Sequence, residues 1–169
     1  VFKLMSAGLV IPVQVAMLPL FLLMKSLGLI NTYWGVIIPS LASIFGIFLI
    51  RQYAIAIPDD LLDAARIDGA SEGRIYRSIV LPTITPILAT LAIWTFLTTW
   101  NDFMWPLIVL SDQAKMTLPV ALASLAGEHV QDTELMMAGS VVTVLPVLLV
   151  FLFLQRYYVQ GIMSGSVKG

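Results

Sequence analysis

The sequence predicts an all-α fold, a polytopic integral membrane bundle of helices, on three observations. Long apolar runs recur along the chain, charge is confined to the connectors between them, and the runs are too long and uniformly apolar for the strands of an outer-membrane barrel. Of 169 residues, 59% are apolar and only 11% are charged, far from the balance of a soluble domain. A buried soluble helix is the alternative for any one run. Four in succession with almost no internal charge argue against it.

In chain order, the runs read as spans over about 4–24, 32–50, 86–110 and 135–155, the third lying within an apolar stretch that begins at Thr83. Each approaches the roughly 20 residues that a ~30 Å hydrocarbon layer requires. They form one transmembrane domain, 1–155, with a polar connector at 51–82 and a tail at 156–169. Pro12, Pro19, Pro39, Pro106 and Pro146 should bend or break the spans locally. Between the last two runs, Leu118, Leu122 and Leu125 fall on one helical face, predicting a short helix at the membrane surface.

Orientation follows from lysine and arginine. Arg51, Arg66, Arg74 and Arg77 cluster in the 51–82 connector, and Arg156 and Lys168 follow the fourth run. The other connectors hold only Lys25 and Lys115. The 51–82 connector, the C-terminus and Lys3 are therefore placed on the cytoplasmic side of the membrane. The chain opens on Val and no signal peptide is visible, so it reads as a fragment.

Several chemistries are excluded. There is no cysteine, and a net charge of −1 argues against a nucleic-acid partner. No acidic or histidine cluster has metal-ligand spacing, and no Ser/His/Asp order suggests a nucleophile. The stretch from Gly69 to Arg74 lacks the Gly-Lys-Ser/Thr ending of a phosphate loop. The chain is thus read as no enzyme, with energy supplied by a partner or an ion gradient. His129 reads as solvated, the eight methionines as packing, and Gln14, Ser40, Ser43, Ser140 and Thr143 as interhelical hydrogen bonders.

The polar connector is the most informative segment. Asp59 and Asp60 after Pro58 place negative charge at the positive end of a first short helix. Gly69 should stop it, because glycine takes a left-handed cap without Cβ cost. Ser71 should cap a second helix that Pro82 ends. Leu61, Leu62, Ala65 and Ile67 give the first helix apolar surface, Ala64 and Ala65 are small enough for another backbone to approach, and Asp63 can pair with Arg66 one turn on. Either this is a capped tie between spans, or something docks on it.

Asp63-Ala64-Ala65, three residues, Gly69, then Ile79-Val80-Leu81-Pro82 resembles the "EAA loop" of permease subunits of bacterial ABC importers, above all the carbohydrate branch of maltose-type permeases. Asp63 stands where the family more usually has Glu. The likeness runs from about Val10 to the C-terminal Gly-Ser-Val-Lys-Gly. It implies a type-1 ABC importer transmembrane fold, truncated at its N-terminus, since complete members usually carry about two more spans. It also implies a docking role for Asp63, Ala64, Ala65, Asp68, Gly69, Ala70, Leu81 and Pro82 against a separate cytoplasmic ATPase dimer, which would bind the ATP and magnesium. The other implied partners are a second homologous permease and an extracytoplasmic sugar-binding protein. No cofactor is implied for the chain itself.

The third run carries the polar face. Thr95, Thr98, Thr99 and Asp102 recur at helical spacing, with Trp94, Asn101 and Trp105 as an adjacent stripe. Taken as one helix, it places Asp102 about 24 Å along the axis from Pro86. Carboxylates and amides bond to hydroxyls, and indoles offer broad apolar faces, which makes this face a pathway candidate for sugars. The resemblance supports that, because sugar permeases commonly carry Trp-Asn-Asp-Phe here. The alternative is that Asn101 and Asp102 bond to neighbouring helices while Trp100 and Trp105 sit at headgroup level. Two competing functions remain at this stage: an ion-coupled secondary transporter using Asp102, and a membrane scaffold without transport.

Overall fold

In the computed structural model, the backbone is described for Phe2, residues 8–127 and residues 133–166, with side chains through Phe153. Lys3, His129 and Lys168 lie outside the described residues, as do the side chains of Arg156 and of the tail from Gln160. Among the described residues there is helix and no strand. The chain divides into two compact units, the first holding the residues through Ser43 with Phe96–Phe153, the second Ile44–Thr95 with the far end of the last helix.

In the first unit, a 3-10 turn over Gly8–Val10 leads through Pro12 into helix α1, Val13–Ser26. The described helix is 14 residues, about 21 Å at ~1.5 Å per residue, and it starts well after Leu4, where the apolar run begins. Its end is a Schellman motif. Gly28 sits at φ +70°, its N–H reaches the Lys25 carbonyl at 3.1 Å, and the Leu29 N–H reaches that of Met24 at 2.9 Å. Helix α2, Tyr33–Ser40, is capped by Thr32, whose hydroxyl oxygen accepts the Gly35 N–H at 3.2 Å.

Helix α3, Ile44–Ile55, opens the second unit, followed by α4, Asp59–Ile67, and α5, Glu72–Ile75. The next segment corrects the expectation that Pro82 ends the second connector helix. The backbone instead widens into a π-helical turn over Tyr76–Val80, where the Leu81 N–H bonds to the Tyr76 carbonyl, and continues as α6, Leu81–Trp100. Pro82 falls in the first turn of α6, where a missing N–H costs least, and a π turn next to it is one of the few ways a helix absorbs a proline without stopping. Thr83 and Thr85 donate their hydroxyls to the carbonyls of Ile79 and Leu81 at 2.6 and 2.8 Å, which pairs those hydroxyls within the helix itself. Ile57, Ile84 and Ile87 form the buried core here, with Leu62 of α4 packed against them.

The third apolar run is likewise not one helix. It breaks at residues 101–103, and α7, Met104–Val109, follows in the first unit. Pro106 is the cause: in a continuous helix its ring would strike the carbonyl four residues back, at Asp102. Restarting at Met104 puts Pro106 in a first turn, where no N–H is needed. A 3-10 turn, Gln113–Lys115, leads to α8, Leu118–Gly127, and the chain closes with α9, Thr133–Ser166. Helix α9 thus runs on into the stretch assigned to a tail. Three helical stretches are long and apolar enough to cross a membrane, Tyr33–Ile55, Glu72–Trp100 and Thr133–Phe153, and Val13–Ser26 is shorter. Their outward side chains, Leu148 and Phe151 among them, are exposed in this chain, as suits lipid or a neighbouring subunit.

The first unit's core is Met24, Trp105, Val109 and Leu110. Lipid tails are as apolar as these side chains, so helix association here depends on close packing and hydrogen bonds more than on water exclusion. Gly35 allows it. A Cβ there would run into the Leu29 carbonyl oxygen and a Val109 methyl. The buried Trp105 indole donates to the Gly35 carbonyl at 3.1 Å. Asn31, at φ 59°, completes the clasp: its N–H donates to the Val109 carbonyl at 2.8 Å and its side-chain oxygen accepts the N–H groups of Ser111 and Asp112.

Candidate functional site

Two sites are built by these elements, one in each unit. In the second unit, α4 is held as an exposed lever. Pro58 sets its start, and Asp59 and Asp60 lie in its first turn, where negative charge is favourable. A second Schellman motif ends it, with Gly69 at φ +78°, its N–H on the Arg66 carbonyl and the Ala70 N–H on that of Ala65, both 3.0 Å. Arg66 ties the helix to the next one. Its guanidinium donates to Asp63 Oδ1 at 2.7 Å and to Glu72 Oε1 at 2.9 Å. These contacts hold the Glu72 carboxyl below its ordinary range and push Arg66 further up. All three side chains are largely exposed, so the ties set geometry more than stability.

Only Leu62 turns α4 into the core. On the open side Leu61, Ala64 and Ile67 lie three apart, with Leu61 46% and Ile67 86% exposed. Asp60 and Asp68 stand one turn to either side of Ala64, so an apolar face with acidic ends is left exposed among the described residues. Of the residues singled out from the motif, Ala65, Asp68 and Ala70 share a depression of about 300 Å³ with Arg74 and Ser78. Leu81 and Pro82 belong instead to the start of α6, with Pro82 exposed. The Arg66–Glu72 tie escaped sequence reading. Its signal, opposite charges six apart across a glycine turn, has no fixed helical spacing to give it away.

In the first unit, the break at 101–103 opens a cleft of about 350 Å³. Of the third-run candidates, Thr98, Thr99 and Asp102 line it together. Thr95 and Asn101 do not. Thr95 lies in the second unit, and Asn101 spends its side-chain N–H on the Leu97 carbonyl at 2.7 Å, closing the end of α6. Asp102 Oδ1 faces the Trp105 backbone N–H at 3.5 Å, at the restart of the helix. Trp105 is buried in the core and Trp100 donates its indole N–H to the Thr143 carbonyl at 3.0 Å, so neither indole has its polar edge free. The cleft also takes in Ser40 and Thr117. Thr117 Oγ1 is buried without a partner among the described residues. Thr117 carried no sequence signal, being one threonine in a connector. No cluster that could hold a metal ion occurs among the described residues.

Comparison with known proteins gives one consistent answer. The model of the family described as binding-protein-dependent transport system inner membrane component matches residues 1–164. The arabinooligosaccharides transport system permease protein AraQ of Halalkalibacterium halodurans is 45% identical over 168 residues, 99% of this chain and 60% of that protein. The lactose transport system permease protein LacG of Rhizobium radiobacter is 39% identical, over 99% of this chain and 61% of its own length. The chain thus spans about three fifths of the curated relatives it matches. Among solved structures, a bacterial ABC transporter involved in the import of the acidic polysaccharide alginate superposes with a TM-score of 0.62 at 26% identity, over 89% of this chain and 56% of that one.

Proposed function

The chain belongs to the family of binding-protein-dependent transport system inner membrane components, and from that premise we propose that it is the permease subunit of an ATP-driven carbohydrate importer, coupled to a separate ATPase through α4. The open Leu61–Ala64–Ile67 face carries the reading. It is apolar and unpartnered, on a helix whose two ends are fixed, so it suits a groove on another protein better than water. Relatives named for arabinooligosaccharides and lactose support carbohydrate as the cargo class.

Arginine placement supports a cytoplasmic position for 51–82. There α4 would sit on one of two ATPase copies, while a second permease completes the pathway and an extracytoplasmic binding protein delivers the sugar. Closure of the ATPases on ATP would move α4 as a rigid body and turn the pathway outward; hydrolysis would let it reopen inward. The chain itself performs no covalent step. Its Schellman turn and Arg66 ties make α4 and α5 move together, and α5 continues through the π turn into α6, so displacement of the lever reaches a spanning helix.

The test is a crosslink. With Ala64→Cys in the assembled transporter in intact membranes, a short bifunctional reagent should join this subunit to the ATPase. Gly69→Asp should abolish uptake while the subunit still inserts. Absence of the crosslink, or wild-type uptake by Gly69→Asp, removes the coupling role.

A further inference from the structure

We infer that the cleft at the helix break selects a neutral saccharide and turns away anionic ones, with Asp102 as the selecting group; this rests on the importer reading above and names the cargo more closely. The cleft, about 350 Å³, lies at the small end of the ~300–1,000 Å³ usual for small-molecule sites. Its walls divide by chemistry. Met17, Val36 and Trp105 offer apolar surface, while Ser40, Thr98, Thr99, Asp102 and Thr117 bring oxygen. A pyranose or furanose ring is built the same way, with C–H faces and a hydroxyl rim.

The polar groups then narrow the choice. Ser40 donates its hydroxyl to the Ile37 carbonyl at 2.8 Å, so toward the cleft it can only accept. An ionised Asp102 also only accepts. Its sole protein partner among the described residues is the long 3.5 Å contact from the Trp105 N–H, which leaves the second carboxylate oxygen open. Ser40 and Asp102 therefore ask for donors, which sugar hydroxyls supply, while the Thr99 hydroxyl can itself donate to a sugar oxygen. Thr117 Oγ1, buried and unpaired, is a further point where a ligand hydroxyl repairs an unmet hydrogen bond.

Charge decides the rest. Among the described residues no lysine, arginine or histidine lines the cleft, so none of them sets a counter-cation beside Asp102 there. A uronate or sugar phosphate would bring a second negative charge into a partly apolar space, where like charges repel far more than in water. A neutral ring meets no such penalty and gains a charge-assisted hydrogen bond.

The experiment is equilibrium dialysis of labelled sugars against the purified full transporter without its binding protein, so that only the permease discriminates. The probes are lactose against lactobionate, and arabinobiose against digalacturonate. The wild type should bind at least one neutral probe at least about tenfold more tightly than its acidic counterpart, a modest part of the repulsion that like charges in contact produce in a half-buried, low-dielectric cleft. Asp102→Asn should bring that ratio close to unity, Asp102→Glu should restore it, and Thr117→Val should weaken the neutral and acidic probes alike and leave the ratio unchanged. An unchanged ratio in Asp102→Asn, a wild type that prefers the acid, or no binding of any probe overturns the inference. Each of those results leaves the Ala64 crosslink untouched. Loss of the crosslink with the ratio intact would instead overturn the coupling reading.

Discussion

The two Schellman turns of this chain, at Gly28 and at Gly69, are the same device put to opposite use. In both, a glycine at φ +70° to +78° reverses the chain and its two hydrogen bonds close the helix end. After Gly28 the chain folds back at once. Leu29 packs against the cluster of Met24, Trp105, Val109 and Leu110, Asn31 clasps the end of α7, and the Trp105 indole closes on Gly35. The chain after the turn is thus held by the unit's own core, even though Leu27 at the helix end stays exposed. After Gly69 the chain is fastened by exposed charges, Arg66 to Asp63 and Glu72, while Leu61, Ala64 and Ile67 stay uncovered. A helix end that is closed by apolar contacts is scaffold. One that is closed by polar ties and keeps its apolar face open is shaped for something outside the chain.

The comparison is most directly broken by making one substitution at both turns. Neither glycine has any atom within 4 Å of where a Cβ would go, so the cost of valine at each is the left-handed backbone alone, about 1–3 kcal/mol. Gly28→Val and Gly69→Val should therefore lower the unfolding midpoint of the purified assembly by similar amounts. Uptake should separate them: close to abolished in Gly69→Val, and reduced only in proportion to the amount of folded protein in Gly28→Val. Equal losses of uptake would mean that the Gly69 turn is scaffold too.

A second substitution sharpens the closed side. Gly35→Ala adds one methyl where a backbone oxygen already stands, and a carbonyl held in its own turn cannot rotate away as a side chain would. Overpacking of this kind costs about 1–3 kcal/mol, and the Trp105 hydrogen bond would be lengthened with it. The variant should show a lower melting temperature and altered tryptophan fluorescence with the Ala64 crosslink preserved. A melting temperature equal to wild type would show that the clasp around Gly35 is looser than its geometry says.

The open side was far more legible in the sequence than the closed side, for a physical reason. Asp59, Asp60, the Asp63–Arg66 pair and Gly69 act on neighbours within one turn, so residue type and spacing announce them. The closed side depends on partners far apart in the chain, Gly35 with Trp105 and Asn31 with Ser111 and Asp112, whose register no local pattern encodes. Of two prolines, one misled and one behaved as expected. Pro82 looks like a stop, yet a π turn carries the helix past it. Pro106 breaks a run that hydropathy alone reads as continuous, and the rule that places the break at Asp102, four residues earlier, was available from sequence. That break decides which threonines meet Asp102, so helical spacing alone, which grouped Thr95 with them, gave half of the cleft.

The smallest expected effect concerns how the open turn is fastened. The Arg66 guanidinium holds the Glu72 carboxyl below its ordinary value of 4.5, by hydrogen bond first and charge second. A depressed folded value means that the tie contributes fully above the ordinary value and is lost as pH falls through the lowered one. Arg66 stays charged throughout, so only Glu72 need titrate for this tie to part. Spin labels on α4 and α5 should report a fixed separation at neutral pH that broadens only on acidification below the ordinary carboxylate range, because the Arg66 tie holds the Glu72 carboxyl beneath it. Glu72→Gln should show the broadened distribution at every pH, because the amide keeps a weak acceptor and loses the charge. On the closed side, a label pair across the Asn31 clasp should not move over the same range, since its hydrogen bonds join neutral groups. The Asp112 carboxyl, also held below its ordinary range, accepts from the Ala114 N–H and Lys115 and not from Asn31. A clasp that opened in step with the lever would show that both turns are held by charge after all.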